Sequence, residues 1–165
     1  MQQKTKFMLV FASVSLVMFG LGSPAANAQP KVAGVIGSTV SDGDMSFKVQ
    51  SLKCGIRTVG TGFLEEKALG QFCVVTLTIK AAKKKAVSYF SSSQKGLTKS
   101  GAEVESKSLM DDQYQSMVDL NPGISLSTKI AFDVAKNDPL TKILFHDSMF
   151  SGGVLVDLTK TLKKK

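Results

Sequence analysis

Apolar residues alternate with polar ones at a spacing of two through most of this chain, and that restricts the fold to paired strands. Ile124, Leu126, Thr128, Ile130, Phe132 and Val134 recur at every second position, which places them on one face of an extended strand. Residues 72–79 read Phe-Cys-Val-Val-Thr-Leu-Thr-Ile. Their β-branched content predicts a central strand with Val75, Leu77 and Ile79 on one face. Met45, Phe47 and Val49 alternate with Ser46, Lys48 and Gln50 ahead of Leu52. They predict a strand within 40–52, with Ser41-Asp42-Gly43-Asp44 as a turn near its start.

Turn chemistry separates the remaining strands. Lys83-Lys84-Lys85 precedes a strand at 87–90, and Ser100-Gly101 divides weak strands around Leu97 and Val104 as a hairpin turn. Asn121-Pro122-Gly123 and Asn137-Asp138-Pro139 are turns, and strands at 142–145 and 154–158 close the chain around Ser151-Gly152-Gly153. Residues 109–118 are ambiguous, with a short helical turn expected at 110–114. Proline falls in the leader, its boundary and turns, never mid-strand. The expected fold is all-β, an antiparallel sandwich, with a closed barrel as the alternative.

A second signal lies at the start of the sequence. Lys4 and Lys6 precede an apolar run over 7–21, followed by Pro24 and Ala26-Asn27-Ala28. This is the pattern of a secretory signal-peptide helix cleaved after Ala28. The apolar run is short of the ~20 residues a spanning helix needs, and no cysteine near the cleavage site could carry a lipid. The expected organisation is a signal peptide at 1–28, a linker at 29–35, a sandwich domain at 36–160 and a basic tail at 161–165. No transmembrane segment is expected after cleavage.

Export agrees with the two cysteines, Cys54 and Cys73, which an oxidising compartment joins as a structural disulfide. Their spacing is far from the C-x-x-C of a redox dithiol. Loss of Lys4 and Lys6 from the 21 basic residues leaves 19 against 13 acidic, a net charge of +6. Such a surface is attracted to anionic envelope polymers. Nucleic acid is not an expected partner, since Arg57 is the only arginine and the lysines cluster at 83–85 and in the tail.

Several segments together carry a family resemblance. They are Ile36-Gly37-Ser38-Thr39-Val40-Ser41-Asp42-Gly43-Asp44, the run from Leu69 through Lys80, Ser93-Gln94-Lys95, Leu120-Asn121-Pro122-Gly123, Ile130-Ala131-Phe132-Asp133-Val134, and the run from Leu144 through Val154. In this order they resemble the exported bacterial family called domain of unknown function 4352, of the immunoprotective extracellular, immunoglobulin-like group. The resemblance spans about 36–158. It implies an immunoglobulin-like sandwich, export, and a disulfide between Cys54 and Cys73, and it implies no enzyme activity. The chain departs from the family pattern at 81–85, where lysines replace the usual Asn and acidic residues, and at 101–109.

Groups able to do chemistry are sparse. His146-Asp147 invites comparison with a hydrolase triad, but neighbours on a strand face opposite ways and there is no G-x-S-x-G elbow. Asp42-Gly43-Asp44 and Asp111-Asp112 could offer oxygen to calcium, yet neither extends to a complete calcium loop. The glycine-rich pieces at 59–62 and 151–153 lack the Lys and helix of a phosphate loop. No catalytic residue, metal site or cofactor is expected. The candidate binding loop is the stretch 55–70, a long insertion based on the disulfide, where Phe63 and Leu64 either contact a partner or fold back as a lid.

The expected function is a non-enzymatic exported binding module, secreted or wall-associated, with an envelope polymer or another extracellular protein as partner. The alternative is a secreted hydrolase or metal-dependent enzyme using His146 with an aspartate. That alternative requires His146 in a concave pocket within hydrogen-bond reach of a carboxylate. A chaperone-like or inhibitory protein is a third reading.

Overall fold

Alternation and turn chemistry produce an all-β chain, and two sheets close over one core. The computed structural model describes residues 30–163, so the expected signal peptide lies outside the described residues. The strands are β1 (Val32–Ile36), β2 (Thr39–Asp42), β3 (Met45–Val59), β4 (Glu66–Ala81), β5 (Val87–Phe90) and β6 (Lys95–Thr98). They continue as β7 (Glu103–Glu105), β8 (Met117–Leu120), β9 (Ser125–Val134), β10 (Leu140–Phe145) and β11 (Val154–Thr161). One sheet has the order β1-β11-β10-β6-β7, the other β2-β3-β4-β9, and β5 with β8 forms a separate two-stranded ribbon. Among the described residues there is no α-helix, and no helix long and apolar enough to cross a membrane.

The alternating residues do what their spacing predicts. Met45, Phe47 and Val49 of β3, Val75, Leu77 and Ile79 of β4, and Ile130, Phe132 and Val134 of β9 are buried together. They meet Leu140, Ile143 and Phe145 of β10 and Val156 and Leu158 of β11 from the facing sheet. Phe47 stacks on Phe145 across the two layers, with ring centroids 4.6 Å apart, an arrangement worth about 1 kcal/mol beyond the area it buries.

A second, smaller core lies on the outer face of β4. Phe72 and Val74 point away from the sandwich, yet both are buried, packed with Val59, Leu109 and Ala131. The chain between β7 and β8 covers them, held by Lys107 N–H to Ala131 O (2.8 Å) and Lys129 N–H to Gln113 O (2.8 Å). This covering explains why residues 72–75 are apolar at every position rather than at alternate ones.

Four expectations need correction. The sandwich is not wholly antiparallel, because β1 pairs with β11 in parallel. These strands come from opposite ends of the domain, so no short turn forces them antiparallel. β1 also falls within the stretch expected as a linker, since its residues are exposed or half-buried and show no alternation. The turn expected as helical at 110–114 is instead a tight bend closed by Tyr114 N–H to Asp111 O (2.8 Å). Asp111 Oδ1 accepts from Gln113 N–H at 2.9 Å, a local bond that competes with helix formation.

The fourth correction concerns 55–70, which is not a loop. β3 and β4 continue past the disulfide as a hairpin paired out to Val59 and Glu66. Cys54 and Cys73 are joined across these strands. The register shifts between Lys53 and Ile56, where Gly55 adopts a left-handed φ of 82°, a bulge geometry that glycine accommodates without strain. The extra residue put the hairpin out of phase with the alternation and concealed it.

Candidate functional site

Residues 146–153 form a loop whose local chemistry produces an unusual surface. Ser151 N–H donates to Ser148 O at 3.2 Å, and its hydroxyl donates to the same oxygen at 3.1 Å. That closes a four-residue turn with Met149 and Phe150 at its two corners. Such corners favour Gly, Pro, Asn, Asp and Ser, yet here both are large and apolar, exposed by 83% and 94%. Apolar side chains displayed together on a turn mark an interaction surface more often than a packing need.

The loop is fastened at two points. Gln94, wholly buried, accepts from His146 N–H at 2.9 Å and donates to His146 O at 3.1 Å and Phe90 O at 2.9 Å. It thereby ties the loop to the end of β5. On the other side Asp147 N–H donates to Asp42 Oδ2 (2.9 Å), while Asp44 N–H donates to Asp147 Oδ2 (3.0 Å). Gly43, at φ 53°, sits between these aspartates, and a Cβ there would stand 1.6 Å from Asp147 Oδ2. Glycine is therefore the one residue that lets the turn and the loop meet.

Between these fastenings lies a groove of about 460 Å³, walled by Val87, Ser88 and Phe90 of β5 and by Met149 and Phe150 of the loop. No β8 residue lines it, and β8 is the strand neighbour of β5. The groove thus follows a strand that is paired on one side. At its rim Asp44 receives Lys83 (2.7 Å) and Lys85. Hydrogen bonds from Lys83, then Lys85, hold the Asp44 carboxyl below the usual carboxylate range, and Asp44 in turn raises Lys85. Lys83 and Lys85 thus engage the carboxylate at the rim, while Val87, Phe90, Met149 and Phe150 give the groove its apolar lining.

The residues singled out in the sequence are distributed differently. Phe63 is fully exposed and Leu64 about half exposed at the hairpin tip, so neither forms a lid. A short 3-10 turn at Gly62–Leu64 shapes the tip, and Thr61 Oγ1 donates to Asp111 Oδ2 at 2.8 Å. With Gln113 N–H, and then Thr61, bonded to it, Asp111 is held below its ordinary pKa. Asp42, Asp44 and Asp111 are thus engaged by protein donors, and the described residues contain no group of three or more His, Cys, Asp or Glu arranged for a metal.

His146 does not line the groove. Its Nδ1 lies 3.2 Å from both the carbonyl and the hydroxyl of Ser151, while the Asp147 carboxylate accepts the Asp44 amide. The pairing that the hydrolase alternative requires is not formed.

Sequence reasoning missed the groove. The available signal was Met149-Phe150 between two serines, in a segment whose Gly152-Gly153 already marked it as a loop. Gln94 stood within a segment that carries the family resemblance, but its role was hidden because it depends on contacts 52 residues away.

The two-sheet architecture recurs in solved structures. The secreted protein MPT63 of Mycobacterium tuberculosis superposes with a TM-score of 0.59 at 22% identity, covering 79% of this chain and 98% of that one. The yjhA protein of Bacillus subtilis gives 0.56 at 13% identity, covering 75% and 98%. An uncharacterised β-sandwich protein of Clostridium difficile gives 0.50 at 11%, covering 82% and 99%. No curated protein matches the sequence. The sequence model of the domain of unknown function DUF4352 matches residues 34–156, almost the whole sandwich with its disulfide, hairpin and groove, and the chain belongs to that family.

Proposed function

We propose that this protein is an exported, non-enzymatic binding module that holds an extended segment of another extracellular protein in the groove beside β5. The observation that supports this reading is the pairing of an apolar, firmly tethered groove with a strand that has a neighbour on one side. An extended segment laid there can add backbone hydrogen bonds to β5 while its alternate side chains meet Phe90, Met149 and Phe150. Because Gln94 and the aspartates hold both walls in place, little ordering cost opposes binding. Phe63 and Leu64, displayed at the hairpin tip beyond the other end of β3 from the groove, offer a separate apolar contact surface. The signal-peptide pattern and the disulfide support an extracellular location.

The test is selection of a displayed random-peptide library on the purified protein, followed by affinity measurement on M149S/F150S and on F63S/L64S. Enriched peptides should alternate apolar residues, lose at least tenfold in affinity for M149S/F150S, and protect β5 amides from hydrogen exchange. Peptides that bind M149S/F150S as tightly as the parent protein, or an unenriched library, would overturn the groove reading.

A further inference from the structure

A hollow of about 400 Å³ on the flank of the β3–β4 hairpin is lined by Arg57, Lys67, Leu69, Gly70 and Lys136, among others. These cations come from three separate segments: β3, β4 and the chain after β9. Their positions are built in. Thr58 pairs with Lys67 in the hairpin register. Gln71 Nε2 donates to Ala135 O (3.2 Å) and Lys136 O (3.0 Å), which holds the end of β9 against β4.

Lys83 and Lys85 pair with Asp44, Lys95 with Glu105, Lys107 with Glu66 and Lys160 with Asp157, while other lysines, among them Lys48, Lys53 and Lys99, have no ion pair among the described residues. None of Arg57, Lys67 or Lys136 has an ion-pair partner among the described residues. The carboxylate near them, Asp133, does not line the hollow. Both of its oxygens accept backbone N–H groups, from Leu69 at 2.8 Å and Gly70 at 3.0 Å. Three cations without an ion pair around one concavity outnumber the single Asp133 carboxylate behind its wall, and an anion in the hollow relieves their repulsion.

We infer that this hollow binds a phosphate group. Three cations on three separate segments need an anion offering at least three acceptor oxygens in different directions. A phosphate has them, and a carboxylate does not. Arg57, the chain's only arginine, brings the planar fork that grips two phosphate oxygens, while Lys67 and Lys136 act as point charges. The site is separate from the β5 groove and does not depend on that reading.

The test is amide chemical-shift titration of the protein with inorganic phosphate, with linear polyphosphate, and with acetate at matched ionic strength. Phosphate should produce saturable shifts centred on Arg57, Lys67, Leu69, Gly70 and Lys136, and acetate should not. R57Q/K67Q should weaken phosphate binding at least tenfold, whereas K83Q/K84Q/K85Q, which removes more charge, should leave it unchanged. Tighter binding of polyphosphate than of phosphate would identify a phosphate-bearing polymer as the source, and equal affinity a free anion; both support the site. Shifts spread over all lysine-rich surfaces, a K83Q/K84Q/K85Q effect as large as that of R57Q/K67Q, or the absence of a saturable response would overturn it.

Discussion

The backbone N–H of Asp147 donates to Oδ2 of Asp42 at 2.9 Å, across a separation of 105 residues. Asp147 returns the contact by accepting the Asp44 N–H at 3.0 Å. The end of β2 and the turn after it thereby fix the loop that carries Met149 and Phe150. Replacing Asp147 with Ala leaves the Asp44 amide without its acceptor in a half-buried setting. A loss of about 1–2 kcal/mol follows, readable as a lower urea midpoint. Amide exchange in 147–151 should quicken at the same time. Unchanged exchange there would show that Gln94 alone holds the loop.

The disulfide ties cysteines 19 residues apart. Removing it in C54S/C73S releases the unfolded chain from that constraint, at a cost of about 3 kcal/mol in the chain-entropy model. Urea unfolding measures this directly. Peptide binding at the β5 groove should persist under folding conditions, because its fastenings are Gln94 and the aspartate pair. A loss of less than about 1 kcal/mol would mean that the second core already holds the hairpin without help.

Acid should destabilise the fold, with a sign set by five lowered carboxylates, Glu105 beside Lys95 and four aspartates. Hydrogen bonds from Lys83 and Lys85 lower Asp44, those from the Ser100 hydroxyl and then Thr98 lower Asp138, the Thr159 hydroxyl lowers Asp157, and Gln113 N–H lowers Asp111. Each folded-state value lies below its unfolded value, about 3.9 for the aspartates. The stability they contribute is therefore complete above the unfolded values and is lost as pH falls through the folded values. Urea midpoints should be level from about pH 7 to 5 and fall below about pH 4. D138N should lie below the parent protein at neutral pH and approach it in acid. A gap that widened on acidification would contradict this.

Most of the sandwich was legible because burial of one strand face writes itself into the sequence as alternation. The inner faces of β3, β4 and β9 were readable residue by residue, and so were the turns at Asn121-Pro122-Gly123 and Asn137-Asp138-Pro139. The hairpin beyond Cys54 was not. Its bulge at Gly55 breaks the period, and its outward residues are buried by a covering segment that bears no mark of that role. β1 escaped for a simpler reason, since none of its residues is fully buried and no pattern was imposed on it.

The sites divide along the same line. Phe63 and Leu64 could be named from their setting between glycines and charges, but their exposure could not, because it depends on where the hairpin projects. The groove and the phosphate hollow each assemble residues from distant segments, and no local pattern records such a meeting.

By itself the sequence determined the class of fold and the inner faces of β3, β4 and β9, which follow from local periodicity and turn chemistry, and its two cysteines left a single pairing. Tertiary structure alone decided that Gln94 would rivet His146 to Phe90, that Asp42 and Asp147 would exchange hydrogen bonds, and that Arg57, Lys67 and Lys136 would surround one hollow. Those arrangements depend on how separate strands pack, and packing is a property of the whole chain.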